Sequence, residues 1–284
     1  MQFVMSMEQW GGSEIWLFSA GANNPDIGAA YHSASASQCG AIRLMTTRNN
    51  GATTIAAANN ARASIFRLPV ADPKDGFLAT HSMIAMIAAL ALACDRLIEQ
   101  PRGNLLVRDI LDEAERAALP VKAAQPINFE PGDTILVLHD PQLAAVAVLV
   151  ETSLWETGIA PVQRTDFRNF AHGRHVWAAR HASSMFVFAL TTLESRAVWQ
   201  PVQSALPKQI RGSEIELGHG GRLSNARGIL RGLAVIEELG RLAGIDPGRP
   251  GRGAFAEAIY DDTALATLSA SLTASVRHKG AARL

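Results

Sequence analysis

Short apolar runs alternate with longer alanine-rich or amphipathic stretches along most of this chain, and the alternation predicts strands followed by helices. In the first half, buried parallel strands are predicted at residues 14–18, 41–45 and 64–70. Helices are expected at residues 27–39 and 54–61, and from the loop at 74–82 to about residue 98. Because the connections are short, the pattern indicates a parallel sheet with right-handed crossovers.

The second half repeats this pattern after a more charged stretch at residues 100–129, which contains an amphipathic helix predicted at residues 104–119. Strands are predicted at residues 134–138, 160–162, 184–190 and 214–217, and helices at 144–157, 172–181, 194–206, 226–243 and 254–260. The chain is therefore expected to form two α/β lobes. Residues 1–125 would make the first lobe with its connecting helix, and residues 126–284 the second lobe with a C-terminal tail.

The turn after the first predicted strand has the composition of an anion site. Residues 19–26 are small or polar, Asn24 suits a helix N-cap, and Pro25 suits the first helical position. Free N–H groups and the positive end of the helix dipole favour a phosphate there. Thr46 ends the second strand at the same predicted sheet edge. Turns that bind nothing look similar, so a phosphate site and a plain connection both remain open.

The composition is that of a globular protein and argues against nucleic-acid and membrane partners. The chain has 284 residues, of which 48% are hydrophobic and 18% charged, as in ordinary globular proteins. Its zero formal charge lacks the electrostatic signature of a nucleic-acid or acidic-membrane partner, and neither partner is expected. Cys39 and Cys94 lack metal-ligand spacing and are interpreted as buried thiols of a reducing compartment, which favours the cytoplasm. The most apolar stretch, residues 77–94, contains His81 and is interpreted as a core helix.

Residues 148–175 contain a candidate acid–base pair. A predicted helix carries Glu151 and Glu156 and ends at Gly158, and His172 follows sixteen positions after Glu156. The pKa of a carboxyl in a partly dry cleft can be raised toward neutrality, and that of an imidazole is already near it, which suits proton transfer. The alternative is a solvated helix-end carboxylate and an ordinary loop histidine, which these residues alone favour. Two other sites, His139-Asp140 and His219, are interpreted as polar loops that could face a ligand.

The order of these pieces resembles the double sugar-isomerase (SIS) phosphosugar-binding family, which includes the isomerase half of glutamine–fructose-6-phosphate amidotransferase. The matching stretches lie between about residues 13 and 262: the turn at 18–26, the loop at 74–82, the helix of Glu151 and Glu156, Ala171-His172-Gly173, and the tail at 244–250. The resemblance implies two flavodoxin-like, three-layer α/β/α lobes. It also implies a phosphorylated sugar as substrate, no metal or other cofactor, and a homodimer with a shared active site.

Residue roles follow from the same resemblance. Glu156 would be the base that moves a proton between C1 and C2 through a cis-enediol, and His172 would help to open the sugar ring in the site of a partner subunit. The residues implied to hold the phosphate or flank the sugar are Ser19, Gly21, Asn23, Asn24, Thr46, Phe77, Ala79, Thr80 and Glu151.

Departures from the family pattern keep other functions open. Ala20 and Gly21 stand where polar side chains are expected, and Glu257 lies where a lysine is expected. Only about a dozen residues precede the first strand, so the first lobe is expected to be incomplete at its start. Three hypotheses remain: a sugar-phosphate isomerase or deaminase, a phosphosugar-binding sensor without chemistry, and a truncated, partner-dependent fragment. The first dozen residues show no helix-turn-helix pattern, which argues against an SIS-type repressor.

Overall fold

The computed structural model describes residues 12–70, 76–98, 101, 103–118, 127–251, 253 and 255. Glu257, most of the helix predicted at residues 254–260, and residues 74–75 of the predicted loop lie outside this described part. The chain folds into two compact units, and the helix at His81–Asp95 contributes residues to both.

The first unit contains a three-stranded parallel sheet, sheet 1, with strand order β1-β2-β3. In chain order its elements are β1 (Glu14–Phe18), α1 (Pro25–Ala36), β2 (Ala41–Thr46), α2 (Ala52–Ala58) and β3 (Ala63–Arg67). Both crossovers run in the same direction across the sheet, so their common right-handedness places α1 and α2 on one face. The residues of that face are apolar and pack with the helices: Ile15, Leu17, Ile42, Leu44 and Ile65 with Ile27, Ala30, Tyr31, Ala34 and Ala57.

The second unit contains a four-stranded parallel sheet, sheet 2, with strand order β5-β4-β6-β7. The remaining elements in chain order are α3 (His81–Asp95), α4 (Asn104–Ala118), β4 (Thr134–His139), α5 (Ala144–Thr157), β5 (Val162–Asp166), α6 (His175–Arg180), β6 (Met185–Thr191), α7 (Arg196–Ala205), β7 (Arg211–Glu216) and α8 (Arg222–Ala243). The predicted fold class, α/β with parallel sheets flanked by helices, is confirmed.

Helices and loops cover both faces of sheet 2. On one face, Ile135 and Val137 of β4 pack with apolar residues of α5 and α8. On the other, Leu136 and Leu138 pack with side chains of the β5–β6 connection and with Trp199 of α7. Strand order explains this difference from sheet 1, because the chain passes from β5 back across β4 to β6 and so reverses its winding direction.

Local sequence signals set the helix ends. Asn24 caps α1, with its side-chain oxygen accepting the Asp26 N–H at 2.8 Å, and Pro25 is the first helical residue, as predicted. Helix α5 spans Ala144–Thr157 as predicted and ends at Gly158, whose φ of +65° is left-handed. None of the helices in the described part of the chain combines the length and apolar character needed to cross a bilayer.

Several predicted boundaries are wrong. Strand β5 lies at Val162–Asp166 instead of residues 160–162, and β7 begins at Arg211 instead of residue 214. The helix predicted at residues 172–181 is shorter, because the backbone leaves the helical conformation at Gly173, inside the π-helical turn at Phe170–Arg174, and α6 begins after this kink. The prediction of buried thiols holds for Cys39 but not for Cys94, which is exposed near the end of α3.

Candidate functional site

The turn between β1 and α1 is held by its own polar side chains. Ser19 Oγ accepts the Ala22 N–H at 3.1 Å, and Thr46 Oγ1 donates to the Ala20 carbonyl at 3.0 Å. Asn23 Oδ1 accepts the Ala52 N–H at 2.7 Å, at the start of α2. These residues were predicted to hold a phosphate, and the structure brings them together at one edge of sheet 1. Ser19 accepts through its oxygen, so its O–H can still donate to a ligand.

A second turn, between β2 and α2, packs directly against the first. A Cβ atom on Gly51 would overlap the carbonyl oxygen of Gly21 and lie 2.8 Å from Ala22 Cβ. Ala22 itself adopts φ +52°, the single left-handed non-glycine residue in the described part of the chain. The absence of a side chain at Gly51 therefore permits the close approach of the two turns. Gly21, by contrast, has open space around its Cβ position.

The predicted sugar-flanking loop meets the C-terminal tail. The Phe77 N–H donates to the Gly248 carbonyl at 3.1 Å, and Gly248 lies in a turn closed by Asp246, whose Oδ1 accepts the Gly248 N–H at 2.8 Å. Ala79 is exposed, and the Thr80 carbonyl accepts the Ile84 N–H at the start of α3. The structure thus joins Phe77, which is predicted to flank the sugar, to the tail, another stretch that carries the family resemblance.

Glu156 is an unpaired carboxylate in the last turn of α5. It is exposed and makes no hydrogen bond or ion pair with another described residue, yet the partial loss of its hydration raises the pKa of its carboxyl above the usual value. Glu151 on the same helix differs, because its Oε2 lies 2.7 Å from Nε of Arg164 on β5. Of the two predicted helix carboxylates, one is therefore free to take a proton and the other is ion-paired.

His172 and Glu156 lie at opposite edges of sheet 2. Glu156 precedes β5 at the amino edge, whereas His172 follows β5, in the π-helical turn at the carboxyl edge. Five residues of strand at about 3.3 Å each put roughly 16 Å between the two edges. His172 is exposed and forms no hydrogen bond within the described part of the chain. One chain therefore does not bring the predicted base and the predicted imidazole together.

The carboxyl edge of sheet 2 holds a buried polar cluster that includes His139-Asp140, predicted to be a polar loop, and Thr192, for which no role was predicted. Asp140 follows β4 and Thr192 follows β6, and they are 5% and 0% exposed. Thr192 Oγ1 donates to Asp140 Oδ2 at 2.9 Å, while Asp140 Oδ1 accepts the Gln142 N–H at 2.8 Å. His139 Nδ1 lies 2.8 Å from the Asp140 carbonyl, and burial lowers the pKa of its imidazole. The sequence does contain a signal for this cluster, because Asp140 and Thr192 each directly follow an apolar strand.

An exposed carboxylate ties down the glycine-rich loop before α8. Glu194 Oε1 lies 2.8 Å from His219 Nδ1, and its Oε2 accepts the Gly220 N–H at 3.0 Å. These hydrogen bonds, with His219 first, lower the pKa of Glu194 to about 2. The imidazole of His219, predicted to lie in a loop that could face a ligand, therefore contacts the carboxylate of Glu194. In the described part of the chain, no three histidine, cysteine or carboxylate side chains are grouped to hold a metal ion.

Comparison with known proteins identifies the fold. No protein-family model matches the sequence, and no curated protein matches it. Among solved structures, tagatose-6-phosphate ketose/aldose isomerase from Escherichia coli is similar over 85% of this chain and 71% of its own, at 15% identity and a TM-score of 0.62.

Two further solved structures are similar. Glucosamine-6-phosphate deaminase from Thermotoga maritima covers 88% of this chain and 77% of its own, at 13% identity and a TM-score of 0.69. The C-terminal domain of glucosamine-fructose-6-phosphate aminotransferase from Francisella tularensis covers 85% and 74%, at 10% identity and a TM-score of 0.56. At such identities the likeness establishes the fold alone. The chain has the fold of the SIS-type phosphosugar isomerases, as the sequence resemblance predicted.

Proposed function

We propose that this protein binds a phosphorylated sugar and interconverts its aldose and ketose forms, with Glu156 as the base. The observation that supports this most strongly is the state of the Glu156 carboxylate, which is unpaired among the described residues and has a raised pKa. A general base must be free to accept a proton and works best when its pKa approaches the operating pH. Glu151 on the same helix is instead occupied by its ion pair with Arg164.

The proton transfer in this proposal needs a single carboxylate. Glu156 removes the proton from C2 of an open-chain aldose, the C1–C2 enediol forms as a proton moves to O1, and the carboxyl returns its proton to C1. Loss of the O2 proton then gives the ketose. An amino-sugar phosphate would undergo the same transfer to give an imine at C2, and water would then hydrolyse the imine to the ketose with release of ammonia, so a deaminase is a variant of the same proposal.

A homodimer is part of the proposal. Since Glu156 and His172 lie at opposite edges of sheet 2 within one chain, ring opening by His172 requires the imidazole of a second subunit. Closed two-fold dimers give each subunit's site the same contribution from its partner, and two equivalent sites result. The cytoplasm, as the compartment where sugar phosphates and reduced thiols occur, completes the proposal.

The phosphate is assigned to the β1–α1 turn. Ser19 retains a free O–H donor, and Gly21, Asn23, Asn24 and Thr46 surround the start of α1. Phe77, Ala79 and Thr80 would flank the sugar carbons. The solved neighbours are named for tagatose 6-phosphate and glucosamine 6-phosphate, and these are the first substrates to try.

A second function, sugar-phosphate binding without chemistry, has a specific observation in its favour. Thr46 and Asn23 already hydrogen-bond to backbone groups, and Gly21 offers no side chain, so the turn presents few side-chain donors to a phosphate. A regulatory module, or a lobe pair that needs a partner chain to complete it, would fit such a weakened site.

Deuterium exchange separates catalysis from binding. Each sugar phosphate is incubated with the protein in D₂O, and label at C1 and C2 is followed by NMR. Wild-type protein should introduce deuterium, Glu156→Gln should lose the exchange, and Glu237→Gln, an exposed carboxylate on α8, should retain it. Exchange that survives in Glu156→Gln would exclude Glu156 as the base.

Binding without exchange points to the second function. Thermal unfolding is measured with each sugar phosphate and with inorganic phosphate, because a ligand of the folded state raises the midpoint. A raised midpoint together with no exchange in wild-type protein would favour a sensor. No shift and no exchange, with either sugar phosphate, would contradict both functions.

A further inference from the structure

One face of sheet 1 is lined with exposed aromatic rings. Trp16, Phe18 and Phe66 are 43%, 42% and 41% exposed. Their rings form a row, with centroids 6.3 Å apart for Trp16 and Phe18 and 5.6 Å apart for Trp16 and Phe66, both pairs nearly parallel. The register puts Phe18, Met45 and Phe66 side by side on the three strands, and Met45 between the two rings is only 5% exposed. We call the surface formed by the three exposed rings of Trp16, Phe18 and Phe66 the open face.

The open face is opposite the one that carries α1 and α2. Side chains alternate along a strand, so Trp16 and Phe18 point away from Ile15 and Leu17, which pack with those helices. Parallel sheets are normally covered on both faces, and sheet 2 of this same protein is. Contiguous exposed aromatic surface of this kind marks a place where another element docks. Helix α3 belongs to the described structure, and with it in place the three rings remain exposed.

The C-terminal sequence contains a segment whose apolar residues are spaced to form one face of a helix, which suits contact with the exposed rings. Leu265, Leu268, Leu272 and Val276 recur at spacings of three, four and four, the period of one face of a helix. Between them stand only alanine, serine and threonine, with no charged residue from Thr263 to Val276. Asp262 suits an N-cap, and Arg277 places a positive charge at the C-terminal end. This pattern describes a helix with one apolar stripe and no core of its own.

Length and chain continuity agree with an intramolecular contact. The fifteen positions from residue 263 to 277 would give a helix of about 22 Å, against about 16 Å for the five-residue strands of sheet 1. The chain also comes back to the first unit before this segment, because Gly253 and Phe255 group with β1–β3. A tether within the same unit makes the local concentration of the segment far higher than that of a free partner.

We propose that residues 263–277 dock as an amphipathic helix on the open face of sheet 1. Leu265, Leu268, Leu272 and Val276 cover Trp16, Phe18 and Phe66. The segment supplies the second helical layer of the first lobe. This inference is independent of the proposed catalysis, because it concerns the face of the sheet and not its carboxyl edge.

Hydrogen exchange measured by mass spectrometry on the full chain tests the contact from both sides. Backbone amides of residues 263–277 should exchange at least about tenfold more slowly than in Leu265→Ser/Leu268→Ser/Leu272→Ser, because only a docked helix is protected. The matched control is Ala264→Ser/Ala266→Ser/Ala270→Ser, which keeps the stripe and should keep the protection. Trp16→Ser/Phe66→Ser removes two rings of the open face and should also abolish the protection of residues 263–277. Trp155→Ser, at an exposed tryptophan on α5, should leave that protection unchanged.

The same variants identify other occupants. If residues 263–277 exchange as fast in wild-type protein as in the leucine variant, the proposal is wrong. If Trp16→Ser/Phe66→Ser turns a dimer into a monomer by light scattering while exchange in residues 263–277 is unchanged, a second copy covers the open face and the proposal is likewise overturned. The substitutions of the leucine variant are not in sheet 1. Comparing its exchange with that of wild-type protein therefore tests the proposal even if Trp16→Ser/Phe66→Ser does not fold.

Discussion

Thr192 donates its hydroxyl proton to Asp140 across 2.9 Å, joining the ends of β6 and β4. The strand order of sheet 2 reverses between these two strands, and there an open parallel sheet forms its ligand crevice. A buried carboxylate already occupies this place, and it would repel a phosphate. This supports the assignment of the sugar phosphate to the β1–α1 turn, and it makes the Asp140–Thr192 pair a structural element of the second unit.

Removing the hydroxyl should therefore weaken folding. Thr192→Val leaves the buried Asp140 carboxylate with one hydrogen bond fewer, and the free energy of unfolding should fall by about 1–3 kcal/mol. Urea denaturation measures this change. Thr152→Val, on the exposed side of α5, is the control and should leave the midpoint nearly unchanged. Equal stabilities of the two variants would show that the pair contributes little.

The packing of the two turns of sheet 1 predicts that alanine substitutions at Gly51 and Gly21 have very different effects on stability. Gly51→Ala places a methyl group on the Gly21 carbonyl, and backbone must move, which should cost about 1–3 kcal/mol and displace the β1–α1 turn. Gly21→Ala meets open space and should be tolerated. Chemical denaturation of both variants checks the order. A Gly21→Ala protein less stable than Gly51→Ala would contradict this packing.

Glu113 links α4 to α8 from a buried position. It is 1% exposed, and its carboxylate lies 2.5 Å from Nε of Arg231 and 3.7 Å from Nε of Arg227. Glu113→Ala should lower the free energy of unfolding by about 1–3 kcal/mol, since both arginines are partly exposed and can recover water when the carboxylate is lost. Glu115→Ala, exposed on the same helix, is the control. Denaturation curves that coincide would rule out a stabilising role for Glu113.

The raised pKa of Glu156 predicts a pH-dependent gain of stability on its removal. A carboxyl with a higher pKa in the folded state than in the unfolded state disfavours folding once both forms are ionised, and this penalty is absent below the unfolded value of 4.5. Glu156→Gln should therefore raise the melting temperature at pH 7 and leave it unchanged near pH 4. Thermal scans at the two pH values test this without any substrate. A destabilised variant at pH 7 would mean that the carboxylate has a favourable partner.

Mixed chains test the shared site. In a mixture of Glu156→Gln and His172→Ala, about half of the dimers pair one chain of each kind, and each such dimer has one complete site. Activity should return to about one quarter of the wild-type value, although each variant alone is inactive. The measurement is sugar-phosphate isomerisation after joint refolding or coexpression. A mixture as inactive as its components would place both residues in sites formed by a single chain, or in no site at all.

In sheet 2, the strand boundaries that were predicted wrongly are those of the two edge strands. The sequence of β5 is Val-Gln-Arg-Thr-Asp and that of β7 is Arg-Gly-Ser-Glu-Ile-Glu, and both strands lie at the edges of sheet 2. An edge strand buries less side-chain surface than a central one, so it needs no continuous apolar run, and a search for such runs displaces it. Central strands β4 and β6, nearly all apolar, were placed to within one residue.

The sequence by itself determined the α/β class, the helix N-cap at Asn24, the end of α5 at Gly158 and most helices. These features depend on the spacing of apolar residues and on capping, which involve only a few neighbouring residues. Tertiary structure alone decided which distant residues meet, as in Asp140 with Thr192 and Glu113 with Arg231, since these contacts join positions 52 and 118 residues apart. It also decided that Glu156 and His172 lie at opposite edges of one sheet. Strand order sets such relations, and no local pattern encodes strand order.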